Sequence, residues 1–358
     1  MSSFENTYDI VYTVIVENNR LEKRGCNMAT LRLGTIGTSW ITEQFIEAAI
    51  ETGKYRLEAV YSRTEQKANE FQKKFSAKKT YTDWNAFLAD GNIDVIYIAS
   101  PNSLHFDQAI QVLRHKKHAI VEKPMITSLA DWDELIRVAK EENKMVVEAA
   151  RHLYEPNFIQ ATKMIQSLKE VYGASLTYSK YSSRYDNVLA GEEPPIFSPN
   201  FGGGAANDLG IYVVYAAVKW FGKPNEVHAF TRKIQTGVDG IGTAVLRYNT
   251  FDVTLHFGKI NTSNHQVEVY GSDETLIFDA VTGLSEGFTM NSRTADKKSI
   301  PFEISSDNPL YWEADAFADI MVDYNTPNSK NTLAEWWTVS KQVHEVLEEI
   351  RKATTNTY

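Results

Sequence analysis

The chain has 358 residues, of which 43% are hydrophobic and 23% are charged, and its formal net charge is −9. This length is enough for about two domains with substantial cores, and the composition is not that of a disordered chain. The negative charge argues against nucleic acid or an anionic membrane as a partner. Cys26 is the only cysteine and the eight histidines lack paired ligand spacing, so we expect neither a disulfide nor a metal site.

Residues 1–28 precede the first clear folding signals, and we interpret them as an N-terminal extension. Met28 is an alternative start of the native protein. No apolar run is long enough to cross a bilayer. The apolar residues 10–16 follow an acidic rather than a basic segment, unlike a secretory signal. We therefore expect a soluble, cytoplasmic protein.

From residue 31 onward, strand-like and helix-like segments alternate. After the first strand, Ile41, Phe45, Ala48 and Ala49 recur at helical spacing. The predicted strands are 31–36, 57–61, 94–99, 118–121 and 145–148, and the further helices are 64–75, 106–115 and 129–142. Such alternation is typical of βαβ units in a parallel sheet. We predict a Rossmann-type domain over residues 29–152, with a sheet of six strands of which these segments locate five.

The pattern changes in the second half of the chain. Short polar turns separate several strand-like segments there, which favours antiparallel pairing. The predicted strands are 175–183, 226–234, 242–248, 252–258 and 266–271, with helices at 156–170, 207–221, 312–322 and 333–352. We predict an α+β domain over residues 153–358 with a large open, mostly antiparallel sheet.

The turn between the first strand and the first helix contains two glycines. Its candidate ligand-binding residues are Gly34, Gly37, Thr38, Ser39, Trp40 and Ile41. Backbone N–H groups in such a turn can bind the pyrophosphate of a dinucleotide at the helix N-terminus. Gly37 suits the tight turn, but Ser39 and Thr42 stand where small residues are usual. An ordinary strand-to-helix turn is the alternative.

The second predicted strand ends in Ser62 and Arg63. A site that prefers NAD carries a carboxylate here for the ribose hydroxyl, whereas NADP needs a cation for its 2′-phosphate. A guanidinium can bind phosphate through two hydrogen bonds. The pair therefore favours NADP(H), with NAD(H) as the other possibility and a solvated arginine as the structural alternative.

Two further strand ends carry polar residues. Ser100, Pro101 and Asn102 form a turn that can border a nicotinamide ribose, and His105 is either a ligand contact or a helix-cap histidine. Glu122 and Lys123 precede a proline that stops the next strand. Ligands bind at the carboxyl ends of such strands, so we expect Lys123 to face a ligand rather than solvent.

Three glycines at 202–204 precede a predicted helix that contains Asp208 and Tyr212. The glycines permit close backbone packing. Residues four apart share a helix face, so the carboxylate and the phenol can form an acid/base pair. The alternative is an Asp that complements the helix dipole and a Tyr in the core.

Together these motifs resemble those of the Gfo/Idh/MocA oxidoreductase family, from about residue 31 to the C-terminus. The resemblance implies a Rossmann domain followed by a domain whose open sheet covers the substrate and forms oligomer contacts. It also implies that Lys123 is catalytic and that Asp208 lies in the pocket. Many members have histidine where Tyr212 stands. In having tyrosine at this position, the chain resembles glucose-fructose oxidoreductase and the dimeric dihydrodiol dehydrogenases, which bind NADP.

We therefore expect Lys123 to stabilise the reacting oxygen, Tyr212 to transfer the proton and Asp208 to orient the substrate or hold Lys123 charged. A nearby ammonium should lower the pKa of Tyr212. Arg151 and His152 either line the pocket or are surface residues at the start of a helix, and the linker 186–201 is a candidate to fold over the substrate.

The expected function is hydride transfer between NADP(H) and a sugar, polyol or cyclic diol. One alternative is a redox-neutral glycoside hydrolase that holds its nicotinamide, and another is a non-catalytic NADP-binding protein. The resemblance and the open sheet also predict a homo-oligomer, a dimer or tetramer formed through the C-terminal sheet.

Overall fold

The computed structural model describes residues 30–303 and 306–355. Our interpretation of residues 1–28 therefore lies outside the described residues. The described residues from Leu31 onward form one compact unit, and the domain boundary near residue 152 stays a prediction. Within the described ranges, no helix is both long and apolar enough to cross a membrane.

The first sheet has six parallel strands in the order β3-β2-β1-β4-β5-β6. They are β1 (Leu31–Ile36), β2 (Tyr55–Tyr61), β3 (Lys79–Tyr81), β4 (Val95–Ile98), β5 (His118–Glu122) and β6 (Val146–Ala149). This confirms the predicted Rossmann sheet. The sequence pattern had not located β3, because this three-residue edge strand is only half-buried and lacks a continuous apolar run.

Helices connect these strands. They are α1 (Trp40–Glu51), α2 (Glu65–Phe75), α3 (Trp84–Ala89), α4 (His105–Arg114) and α5 (Trp132–Glu141), followed by α6 (Pro156–Gln166). β1 and β4 are neighbours, although the chain visits β2 and β3 between them. The connections after β1 and β4 therefore leave in opposite directions, and this opens a crevice at the carboxyl ends of both strands.

The second sheet has eight strands in the order β14-β13-β12-β11-β7-β10-β9-β8. They are β7 (Val171–Ser179), β8 (Glu226–Lys233), β9 (Asp239–Arg247), β10 (Asp252–Gly258), β11 (Val267–Gly271), β12 (Glu274–Phe278), β13 (Gly287–Asn291) and β14 (Lys297–Ser299). Only β7 and β10 pair in parallel, so the predicted open, mostly antiparallel sheet is confirmed. The sequence pattern missed β12 to β14, the short outermost strands.

One face of this sheet packs on helices and the other is partly open. The remaining helices are α7 (Arg184–Leu189), α8 (Ile211–Phe221), α9 (Tyr311–Val322) and α10 (Pro327–Thr355). α8 is apolar on nearly all sides and lies in the core of this layer. On the open face, strand register aligns Phe230, Thr243, His256 and Thr177 in one row, and the Phe230 side chain is 71% exposed.

A buried carboxylate joins the first sheet to the helices α8 and α10. Glu148 lies in β6, and it accepts hydrogen bonds from the Tyr215 hydroxyl of α8 (2.5 Å) and the Ser340 hydroxyl of α10 (2.5 Å). His344 Nε2 lies 3.0 Å away, and the Met125 N–H donates to the other carboxylate oxygen at 2.8 Å. Burial disfavours the charged form of Glu148, but His344 and the hydroxyl donors lower its pKa to about 2.

We expect Glu148→Gln to lower the free energy of unfolding by about 3 kcal/mol, because the charged acceptor of several buried donors is lost. Since the pKa of Glu148 is lowered from its usual 4.5 to about 2, its contribution is present above pH 4.5 and lost as the pH falls towards 2. Urea unfolding between pH 3 and pH 7 measures both effects. Glu141→Gln, at an exposed ion pair, is the control, and an equal loss in both variants would contradict the prediction.

Candidate active site

The turn after β1 has the geometry of a phosphate-binding turn. Gly37 has φ +104°, and a Cβ there would lie 2.7 Å from the Ala99 carbonyl oxygen at the end of β4, so only glycine fits. Ser39 precedes α1 in extended conformation and does not cap the helix with its side chain. Trp40 is 69% exposed, while Thr38 and Ile41 are partly exposed. The first N–H groups of α1 are thus not capped by Ser39 and fit the pyrophosphate of a dinucleotide.

Ser62 and Arg63 lie at the carboxyl end of β2, next to this turn because β1 and β2 are paired. Ser62 is buried, and its N–H donates to the Tyr81 carbonyl oxygen at 3.1 Å. Arg63 is exposed. A cation is therefore available at the strand end where a 2′-phosphate would be bound.

The turn after β4 is tied to two other segments. Asn102 Nδ2 donates to the Gly202 carbonyl oxygen at 3.0 Å. The buried His105 ring lies between the carbonyl oxygens of Ser100 and Pro124, with each ring nitrogen 2.8 Å from one of them. Both nitrogens are thus occupied by backbone, which favours the structural alternative for His105 over direct ligand contact. Pro101 precedes the short helical turn Asn102–Leu104.

Lys123 follows β5 and meets the predicted partners. Its Nζ donates to Asp208 Oδ1 and to the Asp208 backbone oxygen, both at 2.9 Å, and lies 4.9 Å from the centroid of the Tyr212 ring. Burial favours the neutral amine, but Asp208, Tyr212 and Glu122 raise the pKa of Lys123 above its usual value. Glu122 itself accepts a 2.5 Å hydrogen bond from the Tyr97 hydroxyl, and burial raises its pKa.

The glycine segment packs as closely as predicted, and its neighbours are protein. Gly204 has φ +121°, and a Cβ there would collide with the carboxylate of Asp239. The same carboxylate accepts the Ala206 N–H at 2.7 Å. Gly203 likewise lies against the backbone of Ile196. Asp239 thereby holds the start of the following helix from a strand far along the chain.

The predicted continuous α-helix from residue 207 differs from the structure at its start. Ala206–Gly210 form a π-helical turn, and the α-helical hydrogen bonding begins at Ile211. π-Helical turns are rare in proteins overall, but those that occur are often found at functional sites. Asp208 and Tyr212 nevertheless both reach Lys123.

Tyr212 is surrounded by cationic and aromatic groups. The Arg151 guanidinium carbon lies 5.9 Å from the centroid of its ring, the His152 ring centroid 5.1 Å and the Tyr178 ring centroid 5.5 Å. Arg151 also donates to Glu155 at 2.9 Å. The structure thus brings Arg151 and His152 to the site, as the sequence suggested.

The charge of Lys123 does act to lower the pKa of Tyr212, but the expectation of a net lowered pKa is wrong. Burial favours the neutral phenol and outweighs the two nearby cations, so the pKa of Tyr212 lies above its usual 10. The ammonium of Lys123 lies over the ring of Tyr212, 4.9 Å from its centroid. At neutral pH the hydroxyl is therefore a proton donor.

Sequence reasoning missed Lys259. This residue follows β10, and its Nζ lies 2.9 Å from Asp208 Oδ2. No motif surrounds it, and a lone lysine after a strand is usually solvated. Its partner is distant in sequence, so no local signal could have found it. In the described part of the chain, no group of three or more His, Cys, Asp or Glu side chains could hold a metal ion.

In comparisons with known proteins, the N-terminal and the C-terminal part of the chain each match a family model. Residues 31–150 match the Gfo/Idh/MocA oxidoreductase model with an NAD-binding Rossmann fold, and residues 167–277 match a C-terminal domain model of that family. The NADP(+)-dependent scyllo-inositol 2-dehydrogenase IolU of Bacillus subtilis is 33% identical over 90% of this chain and 96% of its own. The uncharacterized oxidoreductase YgjR of Escherichia coli is 36% identical over the same shares.

A solved structure has the same fold. The 3-ketoreductase KijD10 from Actinomadura kijaniata, in complex with NADP, superposes with a TM-score of 0.76 over 90% of this chain and 97% of its own. Its sequence identity to this chain is 21%, so the comparison bears on the fold alone.

We expect Gly37→Ala to weaken NADPH binding at least about tenfold, because the methyl group meets the Ala99 carbonyl oxygen and shifts the turn that approaches the pyrophosphate. Isothermal titration calorimetry measures the affinity. Gly53→Ala is the matched control, since Gly53 also has positive φ (+72°) but has nothing within 4 Å of its Cβ position. Equal affinities in the two variants would remove Gly37 from the binding turn.

Proposed function

Because the chain belongs to the Gfo/Idh/MocA family of oxidoreductases, we propose that it transfers a hydride between NADP(H) and a hydroxyl-bearing carbon of a polyol, sugar or cyclic diol. The observation that carries the proposal is the position of Lys123. Its ammonium lies at the carboxyl end of β5, 2.9 Å from Asp208 and 4.9 Å from the centroid of the Tyr212 ring. We also propose that residues 29–152 bind the dinucleotide and residues 153–358 bind the substrate.

The dinucleotide supplies or accepts the hydride when it is bound. The residues that would hold it are Gly34, Gly37, Thr38, Ser39, Trp40, Ile41, Ser62, Arg63, Ser100, Pro101, Asn102, Glu122 and Lys123. His105 would contribute indirectly, because it joins the turn after β4 to the segment after β5.

Lys123 and Tyr212 would divide the work at the reacting oxygen. The ammonium of Lys123 stabilises negative charge on that oxygen as the C–H bond forms or breaks. In the direction of carbonyl reduction, the protonated Tyr212 hydroxyl donates its proton to the same oxygen. Asp208 holds Lys123 charged and oriented, since the two side chains are partly buried and form an ion pair at 2.9 Å.

The polar residues of the site favour a substrate with several hydroxyl groups. Asp208 can accept hydrogen bonds, Arg151 can donate them, and Tyr212 can do both. A related enzyme, IolU, is named for its action on scyllo-inositol with NADP(+). A cyclic polyol is therefore the first substrate to test.

We expect Lys123→Met to lower turnover by about 10²–10³-fold, because a charge-stabilising donor is lost. Tyr212→Phe should lower turnover by about 10²–10⁴-fold. The measurement is NADPH absorbance during turnover with inositols, aldoses and cyclic diols, and Lys140→Met, at an exposed lysine, is the control. Near-normal turnover in the Lys123 variant would contradict the proposal. Turnover of a glycoside without net change in NADPH would favour the hydrolase alternative.

The pKa of Tyr212 sets a second expectation. Because this pKa is raised above 10, the proton donor for carbonyl reduction is intact at neutral pH and is lost only as the pH rises through a value above 10. The pH profile of kcat for reduction should therefore have no falling limb from Tyr212 between pH 7 and pH 9. A falling limb near pH 8 that disappears in Tyr212→Phe would overturn this assignment.

We propose that Arg63 selects NADP(H) over NAD(H). Arg63→Gln should raise the KM for NADPH by about 10–100-fold, since a charge-assisted hydrogen bond to the 2′-phosphate is lost, and should leave the KM for NADH unchanged. Lys73→Gln, an exposed cation in the last turn of α2, serves as the control. If the wild-type protein prefers NADH, the assignment fails.

We also propose a cytoplasmic homo-oligomer in which a second copy covers the open face of the eight-stranded sheet. The support is the row of strand residues on that face that includes the exposed Phe230, together with Tyr270 on the same face. Phe230→Asp should then shift the mass measured by light scattering from dimer or tetramer towards monomer. A monomeric wild-type protein would contradict the proposal.

A further inference from the structure

We infer that Lys259 is a positioning residue of the active site, which acts on Lys123 through the carboxylate that the two lysines share. This role rests on the hydride-transfer function proposed above. Lys259 does not belong to any of the sequence motifs and lies in the loop after β10, on the second sheet.

The ammonium of Lys259 is surrounded by protein groups that can bind a cation. The side chain is 1% exposed. Its Nζ contacts Asp208 Oδ2 at 2.9 Å and the Ile196 carbonyl oxygen at 3.3 Å, and it lies 4.3 Å from the centroid of the Phe197 ring. An ammonium has three N–H donors. The three groups that surround the ammonium of Lys259 are a carboxylate, a carbonyl oxygen and the face of an aromatic ring. A lysine held this way differs from a surface lysine, which keeps its charge in water.

Asp208 divides its two oxygens between the two lysines. Oδ1 pairs with Lys123 and Oδ2 with Lys259, both at 2.9 Å. This division fixes the rotation of the carboxyl group and prevents both oxygens from turning towards Lys123. The single negative charge of Asp208 is shared by the positive charges of Lys123 and Lys259. These three side chains together therefore keep a net positive charge, which can stabilise the reacting oxygen. Without Lys259, Asp208 alone would balance Lys123 and weaken that stabilisation.

The charged groups around the cluster come from several elements. Lys123 follows β5, Asp208 lies in the π-helical turn, and Asp239 lies in β9. Burial alone would raise the pKa of Asp208, but Lys123 and Lys259 hold it well below its usual range. Burial lowers the pKa of Lys259 against the opposing effect of Asp208, and the positive charge of Lys123 lowers it further. The two lysines are thus electrostatically linked through Asp208.

Lys259 also connects the cluster to the segment 186–201. Ile196 and Phe197 form the short helical turn Pro195–Phe197 in that segment. The contacts of Lys259 with both residues hold this turn against Asp208. Any displacement of the segment therefore changes the surroundings of the catalytic cluster.

The test replaces Lys259 with Met, which keeps the chain length and removes the charge. Lys117→Met is the matched control, because Lys117 is also buried but donates to the backbone oxygens of Asp90 and Ile93. The first readout is the titration of the Asp208 carboxyl carbon by ¹³C NMR in the full-length, cofactor-free protein, with the resonance assigned through Asp208→Asn. Because removal of a nearby cation favours the protonated carboxyl group, Asp208 should begin to titrate at a higher pH in Lys259→Met than in the wild-type protein, with no change in the Lys117 variant.

The second readout is kinetic. In Lys259→Met, kcat should fall about 10–100-fold, while KM and the Kd for NADPH should stay within threefold. An unchanged titration of Asp208, or an unchanged kcat, would overturn the inference. If Lys259→Met does not fold, Lys259→Gln keeps a donor for the Ile196 oxygen and is read in the same way. The titration needs no turnover, so it still tests Lys259 if the proposed reaction fails.

Discussion

The carboxylate of Asp208 lies between the ammonium groups of Lys123 and Lys259, and the arrangement of the site depends on this contact. One buried charge and two partly buried charges in one place are tolerated only when each has a partner with good geometry. Here both carboxylate oxygens are used, at 2.9 Å each. The three residues come from β5, the turn before α8 and the loop after β10. The contact therefore requires both sheets in their observed positions.

The surrounding fold keeps these segments in place by packing rather than by further charge. The glycine segment lies against Ile196 and Asp239 so closely that side chains would not fit, and Asp239 holds the N–H of Ala206. On the other side, Glu148 binds the N–H of Met125, two residues after Lys123, and joins it to α8 and α10. The segment that contains Lys123 is thus held in place by elements of both sheets.

Burial decides the chemistry of Tyr212. Two cations near a phenol would favour phenolate in water, but the side chain is partly buried against the core, and the loss of solvation outweighs the effect of the two cations. The neutral phenol suits proton donation to a reduced carbonyl. The same low polarity strengthens the action of the Lys123 ammonium on a reacting oxygen, because little water screens it.

Local patterns were sufficient for the parts of the structure that local physics governs. Buried strands alternating with helices predicted the parallel sheet. The proline after Lys123 marked a strand end, and the glycine segment marked close packing before Asp208. Each of these signals lies within a few residues of the feature that it predicts. The short strands β3, β13 and β14 were not located, since brief, partly exposed strands lack a strong hydrophobic period. The strand β12 is largely buried but is only five residues long.

What the sequence by itself determined was therefore the fold class, the family and the identity of Lys123, Asp208 and Tyr212 as a group. Only the tertiary structure decided that Lys259 shares Asp208, that both nitrogens of His105 face backbone oxygens, and that the pKa of Tyr212 rises. The physical reason is that a pKa and a buried ion pair depend on distance and solvation. Those quantities arise from residues far apart in the chain, and no spacing within one motif contains them.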